Sequence, residues 1–208
     1  MDSAFRGSGD FLARHELDGL SPTSAISAGP ATNRQLGDLV AIARREIPGV
    51  SVSEAGLAGF LRGDPESIFA FERAGSLLGG IAFLYLNRRG YDALLLDGID
   101  LKNPSHAFLA RPDEEVSAIY VWALACHGRA VVGLGNVAAH LRLPRFANAD
   151  YFAKPSTTAG RDLLIAIGFR PILSVEADLW RYQRPWNRLP PHMPTSVTSA
   201  RSLADARQ

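Results

Sequence analysis

Ile119-Tyr-Val-Trp-Ala-Leu-Ala-Cys-His-Gly-Arg-Ala-Val-Val-Gly-Leu-Gly135 is the stretch on which the reading of this chain turns. Its first part belongs to a nearly unbroken apolar run from Val116 to Ala125, the pattern of a central strand covered on both faces. Cys126-His-Gly-Arg-Ala130 interrupts that run with a tight polar turn. Val131 to Leu141 then puts Val131, Leu134, Ala138 and Leu141 on one face of a helix. A helix start presents amides with no intrahelical partner and the positive end of the helix dipole. Gly128, Gly133 and Gly135 remove side chains that would hold a ligand off the backbone, while His127 and Arg129 add donors or charge. Such a turn suits phosphate or pyrophosphate. The same glycines also suit close helix–sheet packing with no ligand, and that alternative stands beside the first. No Gly-Lys-Ser/Thr follows, so the turn is not a P-loop, and the dinucleotide fingerprint Gly-x-Gly-x-x-Gly is also missing.

Upstream, Ser67 to Arg73 and Leu77 to Leu86 are two β-rich runs around Ala74-Gly75-Ser76, which predicts a hairpin. Gly79-Gly80 inside the second run signals a bulge or a close backbone approach. Thr32-Asn-Arg-Gln35 fits a capping box, and Leu36, Leu39, Val40, Ala43 and Ile47 continue at helical spacing until Pro48-Gly49. Ser53 opens a second short helix carrying Leu57, Phe60 and Leu61. Tyr91 to Asp97 reads as either strand or helix. Downstream, Asp150 to Ala153 is a short strand, and Ser156-Thr157-Thr158 caps a helix over 159–167. Gly168 sits where a left-handed residue closes a helix. Phe169 to Tyr182 supplies one or two last strands. Two helices, a hairpin, a central strand, helix, strand, helix and strand predict a mixed α/β (α+β) sheet protein.

The chain has 208 residues and a net charge of +1, which gives no electrostatic case for nucleic acid or an anionic membrane surface. Cys126 is the single cysteine, so an intrachain disulfide and a multi-cysteine zinc site are excluded. The first residues lack a secretory apolar run, and Leu77 to Leu86 is about half a membrane span, so a cytoplasmic protein is expected. Residues 1–31 mix Gly, Ser, Pro and charge, and 185–208 carry Pro185, Pro190, Pro191 and Pro194. Both are expected to be poorly packed or draped over the surface, with the folded unit over 32–184. His106, His127 and His140 match no common metal spacing, and no metal is expected. Cys126 reads either as a nucleophile at a helix start or as a small packing residue.

Three segments together resemble the GNAT superfamily of acyl-CoA-dependent N-acyltransferases. Phe69 to Phe83 is similar to its second and third strands, and Ile119 to Leu141 to its fourth strand, pyrophosphate loop and third helix. Thr157 to Phe169 is similar to its last helix, with the frequent closing Gly-Phe pair. The order and spacing agree over roughly residues 33–183. The resemblance implies a mostly antiparallel sheet whose fourth and fifth strands splay apart, with acetyl-CoA or another acyl-CoA as co-substrate. It puts Trp122, Ala123 and Leu124 beside the pantetheine and acyl group. His127, Gly128, Arg129, Ala130, Val131 and Gly133 would surround the pyrophosphate, and Thr157, Thr158 and Gly160 would face the cofactor from the last helix.

Two positions depart from the family pattern. Aligning Gly128 and Ala130 with the loop puts Ala125 where the family has Arg or Gln, and the family's frequent thiolate-protonating Tyr is replaced by Leu164. Asp97, Asp100 and Glu115 lie before the central strand, where a base or a substrate carboxylate sits in the family; their other reading is solvated loop charge. The expected function is acyl transfer from CoA to a primary amine, on a small molecule or a peptide, by direct attack in a ternary complex. The alternative is a catalytically degenerate module of the same fold that binds a ligand or partner. Exposed strand edges or the Trp-bearing C-terminal segment would allow a homodimer.

Overall fold

A computed structural model describes residues 25–182 except 176. The expectations for residues 1–24 and for the proline-rich end lie outside the described residues. Twelve labelled elements follow one another: β1 Ser27–Pro30, α1 Leu36–Glu46, α2 Glu54–Gly63, β2 Ile68–Arg73, β3 Ser76–Leu86, α3 Arg88–Leu95, β4 Ala118–Cys126, α4 Leu134–His140, β5 Asp150–Ala153, α5 Thr158–Ala166, β6 Arg170–Pro171 and β7 Trp180–Tyr182. The strands form one sheet in the order β1-β2-β3-β4-β5-β7-β6. Every pairing is antiparallel except β4 with β5.

Local chemistry accounts for most boundaries. Gln35 Oε1 accepts from the Thr32 amide at 2.7 Å and from its hydroxyl at 2.9 Å, closing the start of α1. Ser53 Oγ accepts from the Gly56 amide at 3.1 Å and caps α2. Ala74 and Gly75 both have positive φ, the two-residue turn that matches strand twist, and β2 and β3 are joined there. Gly168, at φ 99°, ends α5: the Phe169 amide reaches Leu164 O at 2.9 Å and the Gly168 amide reaches Ile165 O at 3.1 Å, a Schellman closure.

Two expectations are corrected and one open reading is decided. Ser27–Pro30, placed in the extension over 1–31, is an edge strand paired with Phe69 to Glu72. Tyr91 to Leu95 is helical, because the Asn87 side chain accepts from the Gly90 amide at 3.0 Å and starts α3. The helix expected from Val131 begins as a 3-10 turn over Gly128–Gly133 and becomes α-helical only at Leu134. Glycine weakens α-helix there, and tight packing of Gly133 favours the narrower turn.

The core lies on both faces of the sheet. One face packs Phe69, Phe71, Ile81, Phe83 and Ile119 against Val137 of α4 and Leu141 just after it. The other packs Ile68, Ala70, Ala82 and Ala125 against Leu36, Leu39, Val40 and Ala43 of α1 and Leu57 of α2. The same face continues through Leu84, Ala118 and Tyr120 to Leu94 of α3. Among the described residues, no helix is long and apolar enough to cross a membrane.

Candidate functional site

The site begins with a mismatch in strand length. β5 pairs with β4 only over Ala118–Asp150 to Val121–Ala153. Beyond Val121, β4 runs on to Cys126 and, among the described residues, pairs with β3 alone. The two parallel strands therefore part, and the β5-facing edge of β4 from Trp122 onward has no strand partner among the described residues. Ligands of α/β sheets collect outside the carboxyl ends of parallel strands, which is where this opening lies.

A bulge shapes the same point. Ala82 pairs with Ala123 and Phe83 with Val121, so Trp122 is an extra residue in β4. Simple alternation predicts Trp122 and Ala123 on opposite faces. The bulge instead puts both on the α1/α2 face, while Val121, Leu124 and Cys126 pack on the α4 face. The Trp122 indole lies edge-on to Phe60 at 5.1 Å and donates through Nε1 to Leu101 O at 2.7 Å. An apolar cavity of about 30 Å³ lies beside it, lined in part by Leu39, Leu57, Ala82, Trp122, Ala123 and Ala125.

The Gly79-Gly80 pair explains how β3 holds this segment. A Cβ on Gly79, at φ 153°, would meet Ala125 O at 2.3 Å, and one on Gly80 would meet Phe69 O at 2.6 Å. Only glycine lets the three backbones come so close.

The loop after β4 divides the expected residues into two groups. His127, Gly128 and Arg129 are exposed, and Gly128 has φ 56° with nothing within 4 Å of a Cβ position. The 3-10 turn leaves the Gly128 and Arg129 amides without an intrahelical partner. Ala130 and Gly133 instead turn inward. Ala130 is in the core, and a Cβ on Gly133 would strike the Phe71 ring at 2.8 Å. For Gly133 the packing reading of the glycines holds; Gly128 has no packing reason. Val131 is half-buried.

On the far side of the opening, the Thr157 hydroxyl accepts from the Gly160 amide at 3.0 Å and caps α5, with Thr158 exposed beside it. Thr157 follows β5 by four residues and so leaves the sheet at the same end as the loop after β4.

The three carboxylates do not join this group. Asp97 is exposed at φ 54° in the turn after α3. Asp100 Oδ1 caps the Lys102 amide at 2.9 Å, and exposed Glu115 accepts from Asn148 Nδ2. Leu164 is buried among Ala153, Phe169 and Trp180. Burial, reinforced by the Glu46 charge, pushes the Cys126 thiol up, which favours its packing role over a nucleophilic one. Glu46 escaped the sequence reading altogether. Its Oε1 stands 3.7 Å from His127 Nδ1 and accepts from Arg45 Nε at 2.7 Å, and the Arg45 bond holds its carboxyl below the ordinary range. Glu46 ends α1, far from His127 in sequence, so no local pattern signals the contact. Among the described residues, no group of three or more His, Cys, Asp or Glu could hold a metal.

A sheet that opens between parallel β4 and β5, with a bulge in β4 and a glycine loop behind it, defines the GNAT fold. The chain is similar in structure to Ard1 from Thermoplasma volcanium, with a TM-score of 0.50 at 15% identity over 76% of this chain and 94% of that one. It also aligns with the GphF GNAT-like decarboxylase in complex with isobutyryl-CoA, at TM-score 0.48 and 17% identity over 67% and 71% of the two chains. A third is Arabidopsis thaliana Naa50 in complex with the bisubstrate analogue CoA-Ac-MVNAL, at TM-score 0.47 and 11% identity over 75% and 95%. No protein-family model and no curated protein matches the sequence.

Proposed function

We propose that this chain is a divergent member of the GNAT superfamily that moves an acetyl or other acyl group from CoA to a primary amine on a small molecule or peptide. The observation that carries this reading is the open β4 edge beyond Val121, which leads straight into the exposed turn His127-Gly128-Arg129. The residues there fit a nucleotide-tailed thioester: Gly128, at φ 56°, leaves open space beside the exposed turn. Acyl-CoA supplies an acyl group already activated as a thioester. The backbone of Ala123 to Cys126 offers the amide and carbonyl edge along which the pantetheine arm pairs. The Gly128 and Arg129 amides, with the Arg129 guanidinium, hold the pyrophosphate. Backbone donors of the post-bulge segment stabilise the developing oxyanion.

The test is thermal melting with CoA and acetyl-CoA, followed by release of free thiol from acetyl-CoA across an amine library. A rise in Tm with thiol release supports the reading, and no rise at millimolar cofactor refutes it. A second reading, a binding module without catalysis, is favoured by Leu164 in the core and by the solvated positions of Asp97, Asp100 and Glu115. A rise in Tm without thiol release from any amine selects it.

A further inference from the structure

We infer that Trp122 is a size gate that restricts the acyl group to short chains. The inference rests on the acyl-CoA reading and deepens it. Because of the bulge, Trp122 and Ala123 leave β4 toward the same face, the one covered by α1 and α2. The apolar cavity of about 30 Å³ on that face has both among its walls, with Leu57 and Ala82. The indole forms one of its walls. The ring is held at both ends, edge-on to Phe60 of α2 at 5.1 Å and by its N–H on Leu101 O at 2.7 Å. A side chain fixed by a ring contact and a hydrogen bond cannot swing aside without losing both. Among the walls that β4 contributes, Ala123 and Ala125 are as small as a side chain with a Cβ can be, and Trp122 is the bulky one.

Removing the indole would merge its volume with the cavity and leave a dry apolar slot beside Ala123. Each methylene buried there strengthens binding roughly fourfold, from about 0.8 kcal/mol per methylene. Two extra methylenes, butyryl over acetyl, then give roughly a fifteenfold gain.

The experiment is titration calorimetry of the full chain and its Trp122→Ala and Trp122→Leu variants with CoA, acetyl-CoA and butyryl-CoA, with a melting curve for each protein. The wild type is expected to prefer acetyl-CoA to butyryl-CoA, and Trp122→Ala to shift the ratio of the two Kd values toward butyryl-CoA by roughly fifteenfold. Trp122→Leu fills part of the slot and gives an intermediate ratio, which serves as the reading if Trp122→Ala does not fold. A folded variant whose ratio stays within twofold of wild type overturns the gate while leaving the acyl-CoA site standing. Failure of the wild type to bind any of the three ligands overturns both.

Discussion

The division of the β4–α4 glycines into one that faces solvent and one that faces the core makes a paired prediction. Gly133→Ala puts a methyl group 2.8 Å from Phe71 Cδ1 and 3.0 Å from Cγ. Phe71 is fully buried between the sheet and α4, so its ring has no room to yield. Overpacking of this kind costs about 1–3 kcal/mol, offset in part by about 1 kcal/mol from alanine's better helix propensity. The net loss of about 0–2 kcal/mol lowers Tm by up to about 8 °C for a domain of this size. Gly128→Asn behaves oppositely. Asparagine tolerates the left-handed φ of 56°, and its side chain enters open space, so Tm without ligand stays within about 2 °C. The amide side chain then stands over the cradle. Acetyl-CoA at a hundred times Kd stabilises the wild type by about 2.7 kcal/mol, a rise of about 5–11 °C, and Gly128→Asn loses most of that rise. Gly133→Ala keeps it. Differential scanning fluorimetry with and without acetyl-CoA reads both effects. Full ligand-induced stabilisation in Gly128→Asn, or a Gly133→Ala protein that melts above wild type, would refute the assignment of the two glycines.

Arg145→Met should be strongly destabilising. Arg145 Nη2 bonds Asp64 Oδ2 at 2.6 Å and Arg111 O at 2.9 Å, and its guanidinium lies over Tyr85 at 5.2 Å. Asp64 is buried, so losing its partner costs about 3–5 kcal/mol in urea unfolding, and Arg145→Lys recovers only part because it lacks the planar fork. Stability should fall at alkaline pH. Burial pushes up the Cys126 thiol and the Tyr91 and Tyr85 hydroxyls, with Asp150 and Asp64 adding to the shift in the two tyrosines. Each raised group favours the fold below its unfolded value and loses that contribution as pH climbs toward the folded one. The decline therefore starts near about pH 8.5 with Cys126 and steepens near about pH 10, by up to about 1.4 kcal/mol per pH unit per group; Cys126→Ala removes the first part. Asp97→Asn, Asp100→Asn and Glu115→Gln should each leave acyl transfer within about twofold of wild type, since all three side chains sit in solvated turns. A tenfold loss in any of them would return that residue to the chemistry.

Local patterns in the sequence determined most of the elements of this fold. Apolar spacing and the Thr32 and Ser53 caps marked α1 and α2, Ala74-Gly75 marked the hairpin, and Gly168 closed α5. Each depends on neighbours within about five residues, which is why it could be read. The loop behind β4 was legible because an apolar run meeting glycines is itself a local pattern, whereas the parting of β4 from β5 was implied only by the family resemblance. Tertiary structure decided the rest. The bulge at Trp122 arises from register against β3, and it reverses which side chains face α1 and α2. Phe71, distant in sequence, separates Gly133 from Gly128, although both are simply glycines in one turn. Glu46 reaches His127, and Leu101 holds the indole, only because the chain folds back on itself. β1 exists because β2 offers an edge to pair with, which a short Ser-Ala-Gly-Pro segment cannot announce alone. Backbone caps and turns are written in adjacent residues, whereas the direction in which a side chain points at this site follows from strand register and from contacts between distant residues.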